Sequence, residues 1–181
     1  MVHAVRLPVS LDARARNGNE ADLFEEELRP LLPEALRLAA AMRLDREQAE
    51  DAVQEAALRA WHRRRNRRAG TQLRPWFLGI VANRCREARR GRWATVVRTA
   101  VSPLQPDAVP APDTGDFLDL RAVLRRLPHR VRLAVALRYY LDLPYEDVAA
   151  VSGCSVNAAK ARVRRGLAAL QAQLGATEAR R

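Results

Sequence analysis

Residues 144–174, PYEDVAAVSGCSVNAAKARVRRGLAALQAQL, constrain this chain more than any other stretch. Two helical runs meet at a glycine. Pro144 can open a helix, because the N–H it lacks would find no partner there. Glu146 and Asp147 put negative charge in the first turn, where the helix dipole favours it. Val148, Ala149 and Val151 supply apolar contacts. Gly153 stands where the first helix must stop, and glycine takes positive φ there without steric cost. Ser155 is placed to cap a second helix. The spacing predicts a helix-turn-helix. At 100° per residue, Val156, Ala159, Val163, Leu167 and Leu170 share one face of the second helix. Asn157, Ala158, Ala161, Arg164 and Arg165 fall on the far side, flanked by Arg162 and by Lys160, the chain's only lysine. Small residues permit close approach to base edges, and the cations beside them can anchor phosphates. The competing reading is an ordinary amphipathic helix with a solvated basic face.

The remainder of the chain also reads as helix. Leu28, Leu31, Leu32, Ala35, Leu36 and Ala39 recur at helical spacing from Asp22 onward, despite Pro30 and Pro33. Leu44–Arg63 is a second run, with Asp45 as N-cap and Gln48 completing a capping box. Its apolar face is Ala49, Ala52, Val53, Ala56, Ala57, Ala60 and Trp61. His62–Gln72 is a basic loop that Gly70 helps to turn. Leu73–Trp93 is a third run, with Trp76, Phe77, Ile80, Val81 and Cys85 along its apolar side. Residues 102–116, SPLQPDAVPAPDTGD, carry four of the ten prolines and no periodicity, which makes a linker. Short helices are expected at about 117–127, 129–140, 144–152 and 155–174. The expected fold is all-α, with two small helical domains joined by a proline-rich linker. The divisions are a loose tail at 1–20, a first domain at 21–93, the linker at 94–116, a second domain at 117–174 and a tail at 175–181.

Charge follows the same divisions. The chain carries a net +11, from 32 basic and 21 acidic residues, and a surplus of this size favours a polyanionic partner. Residues 21–57 hold 4 basic and 10 acidic residues, whereas 58–93 hold 12 basic and 1 acidic. Residues 117–181 hold 12 basic and 5 acidic. An acidic block beside two basic ones implies two kinds of partner, a basic protein surface and nucleic acid.

Two segments carry a family resemblance. AEDAVQEAALRAW at 49–61, followed by LRPWFLGIVANRCREARRGRW at 73–93, resembles region two of extracytoplasmic-function (ECF) RNA polymerase sigma factors, in the sigma-70 family. LRRLPHRVRLAVALRYYLDLPYEDVAAVSGCSVNAAKARVRRGL at 124–167 is similar to their region four. The resemblance implies that Asp51, Gln54 and Glu55 grip core RNA polymerase. The residues themselves agree, since they lie about one turn apart on an acidic helix, although a solvated acidic face would look the same. The resemblance further implies that Arg67, Arg68, Gly70 and Thr71 form a loop at the promoter's minus-ten element. Asn83 would meet a flipped base of the melted non-template strand, because asparagine both donates and accepts. Arg84, Arg86, Arg89, Arg90 and Arg92 would hold phosphates. Trp76 and Phe77 are placed either to stack on bases or to pack in the core. The minus-thirty-five duplex falls to Ser155, Asn157, Ala158, Lys160, Ala161, Arg162, Arg164 and Arg165. The family pattern S-x-G-T-V-K-S-R reads S-V-N-A-A-K-A-R here, so the hydroxyl contacts of the usual helix are missing.

The implied function is a sigma factor that binds core polymerase, directs it to promoters and assists melting, with an anti-sigma factor as a further candidate partner. The rival is a conventional helix-turn-helix regulator that binds duplex DNA without polymerase. An enzyme is not expected: there is no Ser-His-Asp order and no GxxxxGK loop. No cofactor follows, and His3, His62 and His129 are too scattered to join Cys85 and Cys154 in a zinc site. The two cysteines are expected to be buried free thiols. No apolar run approaches the ~20 residues that span a bilayer, and the N-terminus lacks a signal's apolar core. A cytoplasmic protein without membrane insertion is expected.

Overall fold

The structure, a computed structural model, describes residues 18–42, 45–98, 124 and 126–178. Among these residues it is helical throughout, with no strand. Helix α1 spans Gly18–Leu28, and a 3₁₀ turn over Arg29–Leu31 leads into α2 at Leu32–Ala41. The two prolines explain this break. Pro30 and Pro33 each lie in a first turn, where their missing N–H is harmless, so a single predicted run becomes two helices. Helix α3 spans Arg46–Arg63 and starts as expected, with the Gln48 N–H donating to Asp45 Oδ1 at 2.8 Å. The return half of the capping box does not form, and Gln48 Oε1 is buried without a hydrogen bond.

Helix α4 spans Leu73–Arg98, past the expected end at Trp93. Its Phe77, Leu78, Val81 and Ala82 are fully buried, and burying a side chain the size of Phe77 contributes on the order of 2–3 kcal/mol. Phe77 is therefore a core residue, while Trp76 is half-buried against the core with the Arg67 guanidinium 5.9 Å from its ring. The buried face of α3 is almost all alanine: Ala49, Ala52, Ala56, Ala57 and Ala60 are buried around Val53. Such small side chains let two helices approach closely. Cys85 is buried and Cys154 only partly so, and both are free thiols.

The second half begins with α5, His129–Val135, whose helix widens to a π-turn over Ala136–Tyr140. Leu141 N–H donates to Ala136 O at 3.1 Å, five residues back. Asp142 then takes positive φ, +49°, a region that aspartate visits more readily than most residues. Helix α6 spans Tyr145–Ser152 and α7 spans Val156–Glu178. The tail at 1–17, linker residues 99–116, most of the helix expected at 117–127, and 179–181 lie outside the described residues.

The two halves bury one continuous set of apolar side chains, from Leu28 in α1 to Val163 in α7. Helix α4 joins them by packing on α3 in one half and on α6 in the other. At Gly79 the contact is close enough that a Cβ would lie 3.9 Å from the Val151 Cα. Arg74 fastens the same junction. It pairs with Glu34 of α2 at 2.9 Å and donates to the Leu141 carbonyl at 2.6 Å.

Candidate polymerase and nucleic-acid surfaces

The turn between α6 and α7 forms as its residues dictate. Gly153 sits at φ 59°, ψ 49°, in the left-handed region. Cys154 N–H donates to Ala149 O and Gly153 N–H to Ala150 O, which satisfies carbonyls that the helix end leaves open. Ser155 Oγ accepts from the Ala158 N–H at 3.2 Å. Helix α7 is thereby aimed by a rigid turn. Ala159, Val163 and Leu170 are buried, as predicted for the inner face. Ser155, Asn157, Lys160, Arg164 and Arg165 are exposed, and Ala158, Ala161 and Arg162 are half-buried. The outward strip is thus small residues edged by cations, with the Lys160 ammonium 5.6 Å from the Tyr145 ring.

On α3, Asp51 and Glu55 are exposed and Gln54 is half-buried. They differ in what they touch. Asp51 forms no ion pair among the described residues. Glu55 pairs with Arg84 of α4, and Arg84 also meets Glu87, which Arg59 approaches at 3.1 Å. Partial burial alone would raise the Glu87 carboxyl, but the Arg84 hydrogen bond and the charges of Arg59 and Arg84 outweigh it and hold the pKa low. Arg84 is thus occupied in joining α3 to α4 and stands apart from the other expected phosphate anchors.

The basic side of α4 is more open. Gly70 has φ 81°, and the Thr71 N–H donates to Arg68 O at 3.1 Å, which makes the expected turn. Arg68, Gly70 and Thr71 are exposed there, and Arg67 is half-buried. Asn83 is exposed and accepts from Arg86 Nη2 at 2.7 Å. Arg89 and Arg90 project one to two turns further along. The side chain of Arg92 lies outside the described residues. Asn83, Arg86, Arg89 and Arg90 face a cavity of about 790 Å³ that Arg162 of α7 closes from the other side. The structure therefore brings candidate residues of both DNA elements to one cleft.

Some residues escaped the sequence reading. Arg132 is 2% exposed, and its Nε and Nη2 donate to the carbonyls of Leu124 and Leu127 at 3.0 and 2.7 Å. Its position in the stripe Pro128, Val131, Arg132, Val135 was the available signal. His129 lines the cavity. Burial, and then the positive charges of Arg89, Arg132, Arg86 and Arg130, push its imidazole down to about 4. Gly166 is buried where α7 crosses α5.

Comparison with known proteins agrees with this geometry. Residues 27–95 match Sigma-70 region 2, and residues 117–170 match Sigma-70, region 4. The ECF RNA polymerase sigma factor EcfG of Rhodopseudomonas palustris is 30% identical over 155 residues, 84% of this chain and 86% of that protein. The chain belongs to the ECF sigma factors of the sigma-70 family. RNA polymerase sigma factor CarQ of Myxococcus xanthus is 30% identical over 91% of the sigma factor described here and 96% of its own length. The structure of the sigma factor RpoE with the anti-sigma factor NepR, from Bartonella quintana, superposes with a TM-score of 0.74. It is 29% identical and covers 85% of this sigma factor and 98% of that chain. The protein thus acts in transcription initiation with core RNA polymerase and promoter DNA, and the reading as a polymerase-independent regulator gives way. No helix among the described residues is long and apolar enough to cross a membrane.

Proposed function

We propose that the exposed acidic side of α3, centred on Asp51 with Gln54 and Glu55 beside it, is the surface that grips core RNA polymerase. The observation that carries this is Asp51, an exposed carboxylate to which the fold gives no ion-pair partner among the described residues. The turn at Arg67–Thr71, with Asn83, Arg86, Arg89 and Arg90, would engage the melted minus-ten strand. The outer face of α7 would lie in the major groove of the minus-thirty-five duplex, with Arg164 toward a base edge and Arg165 toward phosphate. The sigma factor would do no covalent chemistry of its own. Because the RpoE neighbour was solved with an anti-sigma factor, a partner of that kind is proposed here too.

The decisive measurement is competition for core polymerase. Reversing an interfacial charge costs several kcal/mol when its partner stays in place. Asp51→Arg should therefore weaken core binding at least about tenfold, with helicity unchanged. Because Glu55 also holds Arg84, Asp51 is the cleaner position. Wild-type affinity of Asp51→Arg for core would remove this assignment.

A further inference from the structure

The cleft between α4 and the helix-turn-helix has walls from both halves of the chain. Arg63, Arg86, Arg89 and Arg90 come from the first half, and Arg130 and Arg162 from the second. Among the described residues no carboxylate lines it. Arg63, Arg89, Arg90, Arg130 and Arg162 form no ion pair within the described structure, and Arg86 meets only the neutral Asn83. Six guanidinium groups facing one space repel each other, so the packing of α4 on α6 works against this field. Two further polar groups stand at the same cavity. Nε2 of His129 and Oγ of Ser152 are buried and take no hydrogen bond, and both residues line the same cavity. The imidazole is neutral at pH 7, which leaves it one N–H to donate. The cavity volume, about 790 Å³, is that of a small-molecule site.

We infer that this interdomain cleft binds a small oligophosphate, such as a nucleoside triphosphate or inorganic tripolyphosphate, clamped between Arg63 and Arg89 on one wall and Arg130 and Arg162 on the other. Guanidinium groups suit such a ligand because they meet phosphate oxygens in pairs. His129 and Ser152 add neutral polar groups beside these cations. The ligand cancels the repulsion across the cleft and holds the two halves together. Because Asn83, Arg86, Arg89, Arg90 and Arg162 are then engaged, the bound form is unavailable to promoter DNA. That last consequence rests on the DNA assignment above; ligand binding itself does not.

The test is titration calorimetry of the full chain with tripolyphosphate and with a nucleoside triphosphate, at physiological salt. The expected result is one equivalent bound, with affinity falling at least about tenfold in Arg63→Ala and in Arg130→Ala, one variant from each wall. Both positions are exposed, so the fold should survive. Arg37→Ala, exposed and away from the cleft, should bind as wild type. Neither Arg63 nor Arg130 belongs to the proposed promoter or polymerase surfaces, so both variants should retain polymerase-dependent run-off transcription. A parallel titration with a short single-stranded oligonucleotide separates the two sources of phosphate: its affinity should not depend on Arg130. Absence of saturable uptake at about 1 mM probe, an equal loss in Arg37→Ala, or an equal dependence of the oligonucleotide on Arg130 would each overturn the inference, the upper limit being that of a weak millimolar site.

Discussion

Gly166→Ala separates packing from helix propensity. In an exposed helix this change stabilises by about 1 kcal/mol, because alanine has the higher propensity. Here the new Cβ would lie 2.3 Å from Val135 Cγ2 and 3.1 Å from Val131 Cγ1. Carbon atoms rest about 3.5–4.0 Å apart, so the first contact overlaps by more than 1 Å. Val135 cannot simply rotate away, since a β-branched residue in a helix keeps one strongly preferred rotamer. Overpacking of this kind costs about 1–3 kcal/mol. The overlap therefore outweighs the propensity gain, and a net destabilisation of about 1 kcal/mol, and at most about 2, is expected. The consequence reaches function, because the α5–α7 crossing sets the angle of α7, the helix proposed to face DNA. Urea unfolding should show a lower midpoint for Gly166→Ala, and the variant holoenzyme should bind minus-thirty-five duplex more weakly. Val135→Ala removes the colliding methyl, so the double variant should show favourable coupling of at least about 1 kcal/mol. A midpoint that rises for Gly166→Ala, additive with Val135→Ala, would refute this reasoning.

Arg164→Ala and Arg165→Ala should differ on a promoter library read at two salt concentrations. Arg165→Ala should lower the salt slope by about 0.9 with preference unchanged, while Arg164→Ala should relax preference at one position by about 1–3 kcal/mol; identical behaviour of both variants and wild type contradicts both roles. His129 gives a pH dependence of definite sign. Its folded pKa of about 4 lies below the ordinary 6.5, so the unfolded chain binds the proton first, and the contribution present above pH 6.5 is lost as pH falls toward 4. Melting temperatures between pH 7 and 4.5 should therefore fall less steeply in His129→Gln than in wild type, and an imidazole titrating near 6.5 in the folded protein would exclude the effect.

What the sequence made legible was local. Gly153 and Ser155 announced the turn and cap, because each answers a backbone requirement that few residues meet. Asp45 announced the start of α3 for the same reason. The interior faces of α3 and α7 followed from a period of 3.6. The unread parts depend on contacts distant in sequence. Nothing local marks Gly79 as the seat of α6, or Arg74 as the bridge from Glu34 to the Leu141 carbonyl. The π-turn at Ala136–Tyr140 obeys helical patterning and differs only by one carbonyl. Arg84 and Arg89 look alike in the chain, yet Arg84 is taken by Glu55 and Glu87 while Arg89 faces the cleft. A family resemblance assigns roles to positions; only geometry shows which guanidinium is already engaged.

Gly79 gives the chain an adjustable spacer. Its missing side chain lets α4 and α6 touch nearly backbone to backbone, and a methyl there would rest in ordinary contact with Val151. Alanine would therefore leave the distance between the halves as it is. Each larger side chain would have to enter the cleft that Gly79 lines or part the two helices. The width of the cleft and the spacing of the two halves are thus graded by a single codon.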